Sequence, residues 1–230
     1  MKASPGARSW MAAGVRHELL TRALPALRHE MAAPVSVMRM STLLLKRQLA
    51  ANTAVDTAAW LERVTQIEGQ VAALASGVRS LRDWELATHD DGITRSALVA
   101  QCTSLMRVAF ELNGIGLKID EALAPAESEP RFAAAAALRY MALGALGHLH
   151  DSVPGLGAIR VEAEGDDALR FIASLGVAAP VEPMAGAHRA PRALAIDAVA
   201  LQALADGLGY GVVVEGESVR LGLGAAMNPA

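Results

Sequence analysis

The chain has 230 residues, is 53% hydrophobic but only 3% aromatic, and carries a formal net charge of −3. Its 48 alanines favour helix, because alanine loses no side-chain entropy on ordering. This composition excludes a disordered chain, and the scarcity of aromatic and basic tracts excludes a nucleic-acid platform. The lone Cys102 excludes an internal disulfide or a multi-cysteine zinc site, and a reducing compartment is expected. There is no run of about 18 apolar residues to span a membrane. The stretch Met1 to Trp10 lacks the apolar core of a signal peptide, so a cytoplasmic location is expected.

From Ser9 to about Ala51 the pattern is helical, with Leu27, Met31, Val35, Met38, Leu45 and Leu49 on one stripe. Pro25 and Pro34 are expected to interrupt or bend this helix. Residues 51–56 read as a turn. A second helix is predicted from about Thr57 to Ala87, with Leu61, Val64, Ile67, Val71, Leu74, Val78 and Leu81 at threes and fours. Two such helices form an antiparallel hairpin. One hairpin cannot bury both stripes, so pairing with a second copy into a four-helix bundle is expected.

The polar break His89-Asp90-Asp91-Gly92 marks the expected boundary between a hairpin domain, 1–89, and a second domain, 90–230. In the second domain Ser96–Asn113 reads as a helix, Gly116–Asp120 as a strand and Ala122–Pro130 as a loop. Phe132 to about Asp151 reads as an alanine-rich helix. Ala158–Glu164 and Leu169–Ala173 read as a hairpin, Gly176–Pro191 as a loop, and Ala193–Leu208 as a helix ending at Gly209. Gly211–Glu215 and Val219–Leu223 read as a closing hairpin. The expected fold class is therefore α+β: a long helical hairpin followed by an α/β sandwich with helices on one face of a mainly antiparallel sheet.

The residue with the clearest chemical potential is His29. It falls about 200° around the helix from Leu27, whereas Met31 and Met38 stay near Leu27, so it faces solvent. An exposed, partly unprotonated imidazole can act as a nucleophile, and Glu30 beside it can orient the ring or accept its proton. Pro34 opens the hydrogen-bond ladder just beyond. Arg28, Arg39, Lys46 and Arg47 read as a solvated face or as a contact for an acidic partner. His17-Glu18 repeats the pair without a proline five residues on. His148 and His150, two apart on a helix, do not share a face, and no metal site is expected. Gly114-x-Gly116 and Gly222-x-Gly224 read as turns rather than phosphate cradles, as does the Asp166-Asp167 pair.

The sequence His29-Glu30-x-x-x-Pro34 on the first helix of a hairpin resembles the phosphoacceptor box of bacterial sensor histidine kinases. The segment 138–161 resembles the ligand-bearing helix, turn and following strand of their Bergerat-type ATP-binding domain. The departures matter as much as the likeness. Aligning on Asp151 and Pro154 puts Gly144 and His148 where that family carries asparagines for magnesium and phosphates. Ser174-Leu175-Gly176 stands where an adenine-reading Asp-x-Gly-x-Gly box is expected, and no glycine-rich lid precedes the last helix. Each lost contact is worth on the order of 1–3 kcal/mol, so their joint loss should abolish useful ATP affinity.

That combination is similar to kinase-derived histidine phosphotransferases of the ChpT type. The resemblance implies a homodimer in which His29 relays a phosphoryl group between response-regulator receiver domains without ATP. It implies no tightly bound cofactor, with magnesium supplied by the receiver partner. Glu30 would orient the imidazole, and Arg28, Met31, Pro34, Val35 and Met38 would form the docking surface. Gly144, His148, Asp151 and Ser174 would mark the degenerate nucleotide site. A non-catalytic regulator-binding scaffold and a divergent ATP-dependent kinase are the alternatives.

Overall fold

The computed structural model describes residues 4–50, 57–86, 92–176 and 194–225. The expected turn at 51–56, the break at 89–91 and most of the loop at 176–191 lie outside the described residues. The fold is α+β. Helices α1 (Pro5–Ala50) and α2 (Thr57–Ser80) come first, and a 3₁₀ turn at Leu81–Trp84 ends the second where a longer helix was predicted. Then follow β1 (Ile93–Thr94), α3 (Arg95–Glu111), β2 (Gly116–Ile119), β3 (Arg131–Phe132) and α4 (Ala135–Ser152). β4 (Leu156–Glu164), β5 (Ala168–Leu175), α5 (Ala198–Leu208), β6 (Tyr210–Glu215) and β7 (Ser218–Ala225) complete the order. Among the described residues no helix is long and apolar enough to cross a membrane.

The chain divides into two compact units, Leu24–Thr88 and a second made of Met1–Ala23 with His89–Ala230. The first 23 residues group with the C-terminal part, whereas the sequence reading assigned them to a hairpin domain. α1 runs continuously through Pro25 and Pro34, so neither proline interrupts it or starts a new helix.

In the unit that includes the C-terminal part, five strands form one sheet in the order β2-β4-β5-β7-β6. β2 and β4 are parallel, and the remaining pairs are antiparallel. Strand alternation sorts the side chains into two faces. Ile159, Val161, Leu169, Phe171, Val219 and Leu221 are buried beneath the helices. The other face carries an ion-pair lattice, with Arg220 2.8 Å from Glu164 and Arg160 2.8 Å from Glu162.

α4 is the central helix. Every residue from Ala135 to Leu149 is buried, as expected of a helix without a polar face. It begins three residues later than predicted. Phe132 pairs instead with Ile93 in a short antiparallel ladder, and Ala134 takes a left-handed conformation ahead of the first turn. Gly92 has φ +73°, and a Cβ there would come within 2.6 Å of the Phe132 carbonyl oxygen, so this entry into β1 requires glycine. Thr94 caps α3, Asp197 caps α5 four residues after the predicted start, and Gly209 ends α5 in the left-handed region. Cys102 is buried against α4, where its thiol donates to the Arg139 carbonyl oxygen, and burial pushes its pKa up to about 12.

In the unit formed by Leu24–Thr88, α1 and α2 pair through a narrow strip. Met31 lies against Gly77, and Ser41 donates to Gln66 Oε1 at 3.1 Å. Leu27, Pro34, Ser41 and Trp84 are buried, yet α2 itself has no buried residue. Five of the seven predicted stripe residues, Leu61, Val64, Val71, Val78 and Leu81, stay exposed, and only Ile67 and Leu74 are half-buried.

Candidate functional site

Two places carry the residues singled out by sequence, one in each unit. The first is the Arg28-His29-Glu30 step of α1, where all three side chains are exposed. The helix itself presents the imidazole: Leu27 is buried, and at about 100° per residue His29 lies about 200° around from it, while Glu30 comes back toward Leu27 yet stays exposed. Pro34 lacks an N–H, so the Glu30 carbonyl oxygen has no helical donor four residues on. The ladder is therefore loosened directly beside His29.

The five residues expected to form a docking surface do not share one exposure. Arg28 and Val35 are exposed, Met31 and Met38 are half-buried, and Pro34 is buried. Arg28 and Val35 are thus the members free to meet a partner. Met31 packs against α2, and Pro34 acts through the backbone.

The second place is the face of α4 that carries Gly144, His148 and Asp151. These positions lie close together on a helical projection, and the structure does bring them into one patch. The patch is filled by the protein. A Cβ on Gly144 would fall 2.8 Å from Leu204 and 3.0 Å from Leu201, and one on Gly147 would fall 2.8 Å from Ile196. Leu19 of α1 packs onto the same two glycines. His148 is buried, with Nδ1 2.9 Å from the Ile196 carbonyl oxygen and 3.2 Å from Ser152 Oγ. Ser174 is elsewhere, exposed near the end of β5, its hydroxyl donating to the Ala158 carbonyl oxygen at 3.3 Å.

Asp151 is the polar hub of that patch, its side chain only 6% exposed. Arg22 donates to both carboxylate oxygens at 2.8 and 3.1 Å, and the Ile196 N–H donates at 2.9 Å. His150 Nδ1 lies 2.8 Å from Asp151, and its ring stacks on Phe110 at 5.4 Å. Burial alone would raise the Asp151 carboxyl. The hydrogen bonds from His150, Arg22 and Ile196 outweigh burial and hold it well below the usual carboxylate range. Arg22 also takes Glu18 at 2.9 Å and the Leu194 carbonyl oxygen at 2.9 Å. Sequence reading missed Arg22. The Glu18–Arg22 spacing of four signals a helical ion pair, but nothing in the sequence joins it to Asp151.

Chemically the two places are opposites. The His29 step offers an unencumbered imidazole beside a carboxylate. The α4 patch offers no open donor for a phosphate or a metal at Gly144. Among the described residues no group of three or more His, Cys, Asp or Glu side chains is placed to hold a metal ion.

No protein-family model matches this chain, and no curated protein matches it. Among solved structures it is similar to a histidine kinase from Burkholderia phymatum STM815, with 16% identity, 86% of this chain and 98% of that chain covered, and a TM-score of 0.38. It is also similar to the Acinetobacter baumannii histidine kinase AdeS, with 13% identity, coverage of 87% and 98%, and a TM-score of 0.36. A third similar structure is full-length ShkA in complex with AMPPNP, with 17% identity, coverage of 90% and 47%, and a TM-score of 0.34.

Proposed function

We propose that this chain is a dimeric histidine phosphotransferase that relays a phosphoryl group between receiver domains through His29, without ATP. The observation that supports it most is the exposure of His29 and Glu30 on α1 together with the packing of Leu19, Leu201 and Leu204 over Gly144. The acceptor is accessible, and the face that would meet a nucleotide is filled.

In this reading the incoming receiver domain carries an aspartyl phosphate. An imidazole nitrogen of His29 attacks phosphorus, the N–P bond forms, and the O–P bond to the aspartate breaks. The aspartate leaves as a carboxylate, and the imidazole proton passes to Glu30 or to water. The second receiver domain reverses these steps. Phosphoryl transfer needs little covalent chemistry from the protein, so positioning and charge compensation dominate. Arg28, exposed beside His29, would meet the acidic rim of the partner, and Val35 would supply apolar contact. Magnesium would be held by the partner.

Incubation with a phosphorylated receiver domain tests this directly. Label should move to the wild-type chain and not to His29→Ala. Regulator binding that survives His29→Ala, with no transfer in either protein, would instead mark a scaffold.

A further inference from the structure

A cavity of about 440 Å³ lies in the unit that includes the C-terminal part, where the first turns of α1 cross the end of α5. The crossing is close: a Cβ on Gly207 would fall 2.7 Å from the Ala12 Cβ. Beside that contact the two helices leave a space between them.

α1 supplies one wall. Arg8, Ser9 and Arg16 all line the cavity. On a helical projection Arg8 and Arg16 lie about 40° to either side of Ala12, and the helical rise sets them about 12 Å apart. Arg16 is half-buried. Among the described residues neither guanidinium makes an ion pair or a hydrogen bond.

α5 supplies the other wall. Asp206 lines the cavity, and the helix ends there at Gly209. The last carbonyl oxygens of a helix have no helical donors, so this wall accepts hydrogen bonds. Asp206 takes one from Gln202 at 2.8 Å. The Tyr210 hydroxyl is spent on the Ala133 carbonyl oxygen at 3.1 Å. Arginines that served only to balance Asp206 and the negative end of α5 would close on them. Here they stay apart, and the space between the walls is of metabolite size.

We propose that this cavity binds a small organic phosphate that also carries hydroxyl groups. The phosphate lies between Arg8 and Arg16, and the hydroxyls donate to Asp206 and the end of α5. A guanidinium fork takes oxyanion oxygens in pairs. A phosphate offers three oxygens to share between two forks, one more than a carboxylate. Ser9 adds a hydroxyl donor. A ligand without hydroxyls leaves the α5 wall unpaired, and one without phosphate leaves two cations unanswered. The site belongs to the unit that does not contain His29, and it does not rest on phosphotransfer.

Calorimetry on the full chain with ribose 5-phosphate, ribose and inorganic phosphate tests the assignment. Ribose 5-phosphate should bind, and more weakly as salt is raised. Ribose should give no binding heat, and inorganic phosphate should bind about tenfold more weakly than the sugar phosphate. Arg8→Gln and Arg16→Gln should each weaken ribose 5-phosphate by about tenfold, because each loses charge-assisted hydrogen bonds. Neither guanidinium holds another element of the fold, so both variants should stay folded, which circular dichroism checks. Hydrogen exchange gives a readout that needs no variant: ribose 5-phosphate should slow exchange in residues 5–16 and 203–210.

Absence of ribose 5-phosphate binding, or equal binding by the Arg8→Gln, Arg16→Gln double variant, overturns the proposal. Inorganic phosphate that binds as tightly as ribose 5-phosphate overturns the part given to the α5 wall. Transfer to His29 is measured separately, so failure here leaves that reading untouched.

Discussion

α4, which carries Gly144 and His148, and α2, which pairs with the His29 stretch of α1, are packed in opposite ways. α4 is buried on every side from Ala135 to Leu149, and neighbours crowd its glycines to the limit of contact. α2, paired with the stretch of α1 that bears His29, buries no residue, and its apolar column lies open. A helix closed on all sides has finished its folding and retains no room for a ligand. A helix with one apolar flank open leaves apolar surface in water, which a partner would cover. The chemistry follows the same division: the exposed imidazole stands on the unfinished hairpin.

The contrast can be broken from either side, and the largest energetic effect is expected on α4. Gly144→Asn places a polar side chain among Leu19, Leu201 and Leu204, where it overpacks and leaves its amide unpaired. It should destabilise by about 3 kcal/mol in chemical denaturation, without creating nucleotide binding in calorimetry. A stable variant that binds magnesium-ATP would show that the patch opens readily.

Arg22→Ala removes the main counter-charge of Asp151. Breaking a fully buried pair costs about 3–5 kcal/mol, and partial exposure reduces that to about 2 kcal/mol here. Hydrogen exchange should localise the loss to residues 5–23 and the approach to α5.

Asp151 also sets an acid limit. Its carboxyl is held below the ordinary value of about 3.9, so the native state binds fewer protons than the unfolded chain under acid conditions. The stabilisation is complete above about pH 5 and is lost as the pH falls below that ordinary value toward the depressed one. Asp151→Asn should flatten this acid arm of the stability profile. An arm as steep as in wild type would remove Asp151 from the account.

The smallest effect on folding is expected on α2. Val71→Ser changes a half-exposed side chain, so it should alter the intrinsic stability of a single chain by less than about 0.5 kcal/mol. It should nevertheless weaken self-association measurably by light scattering across a dilution series.

Much of the fold was legible because each element carries its own period. The hairpins around Gly165 and Gly216, the helix ending at Gly209 and the alanine-rich α4 all follow from local pattern. The misreadings have physical reasons. Pro25 and Pro34 were expected to interrupt or bend α1, and the interruption does not occur: the helix runs through both, since each removes one hydrogen bond and the neighbouring turns hold the path. Phe132 read as helix because it adjoins the alanine run, but Ile93, 39 positions away in sequence, draws it into a ladder.

At the sites, His29 was legible because exposure on an amphipathic helix is a matter of angle. Gly144 and His148 were singled out by register against the family the sequence resembles. What packs around them was not legible. Arg22 reaches that patch from 129 residues before Asp151 and Ile196 from 45 after it, with Leu19 a turn before Arg22, and no local pattern encodes such a meeting. The open column on α2 was legible as a stripe that one hairpin cannot bury, and the structure adds which members stay exposed.

The central claim is that His29 is the phosphoryl acceptor of a chain that needs no nucleotide. The most direct measurement is transfer from a phosphorylated receiver domain, with no ATP present, to wild type and His29→Ala, followed by mass mapping of the modified residue. The account predicts one phosphoryl group on His29 in wild type and none in the variant. Equal labelling of both proteins, or modification that appears only when ATP is added, would contradict it.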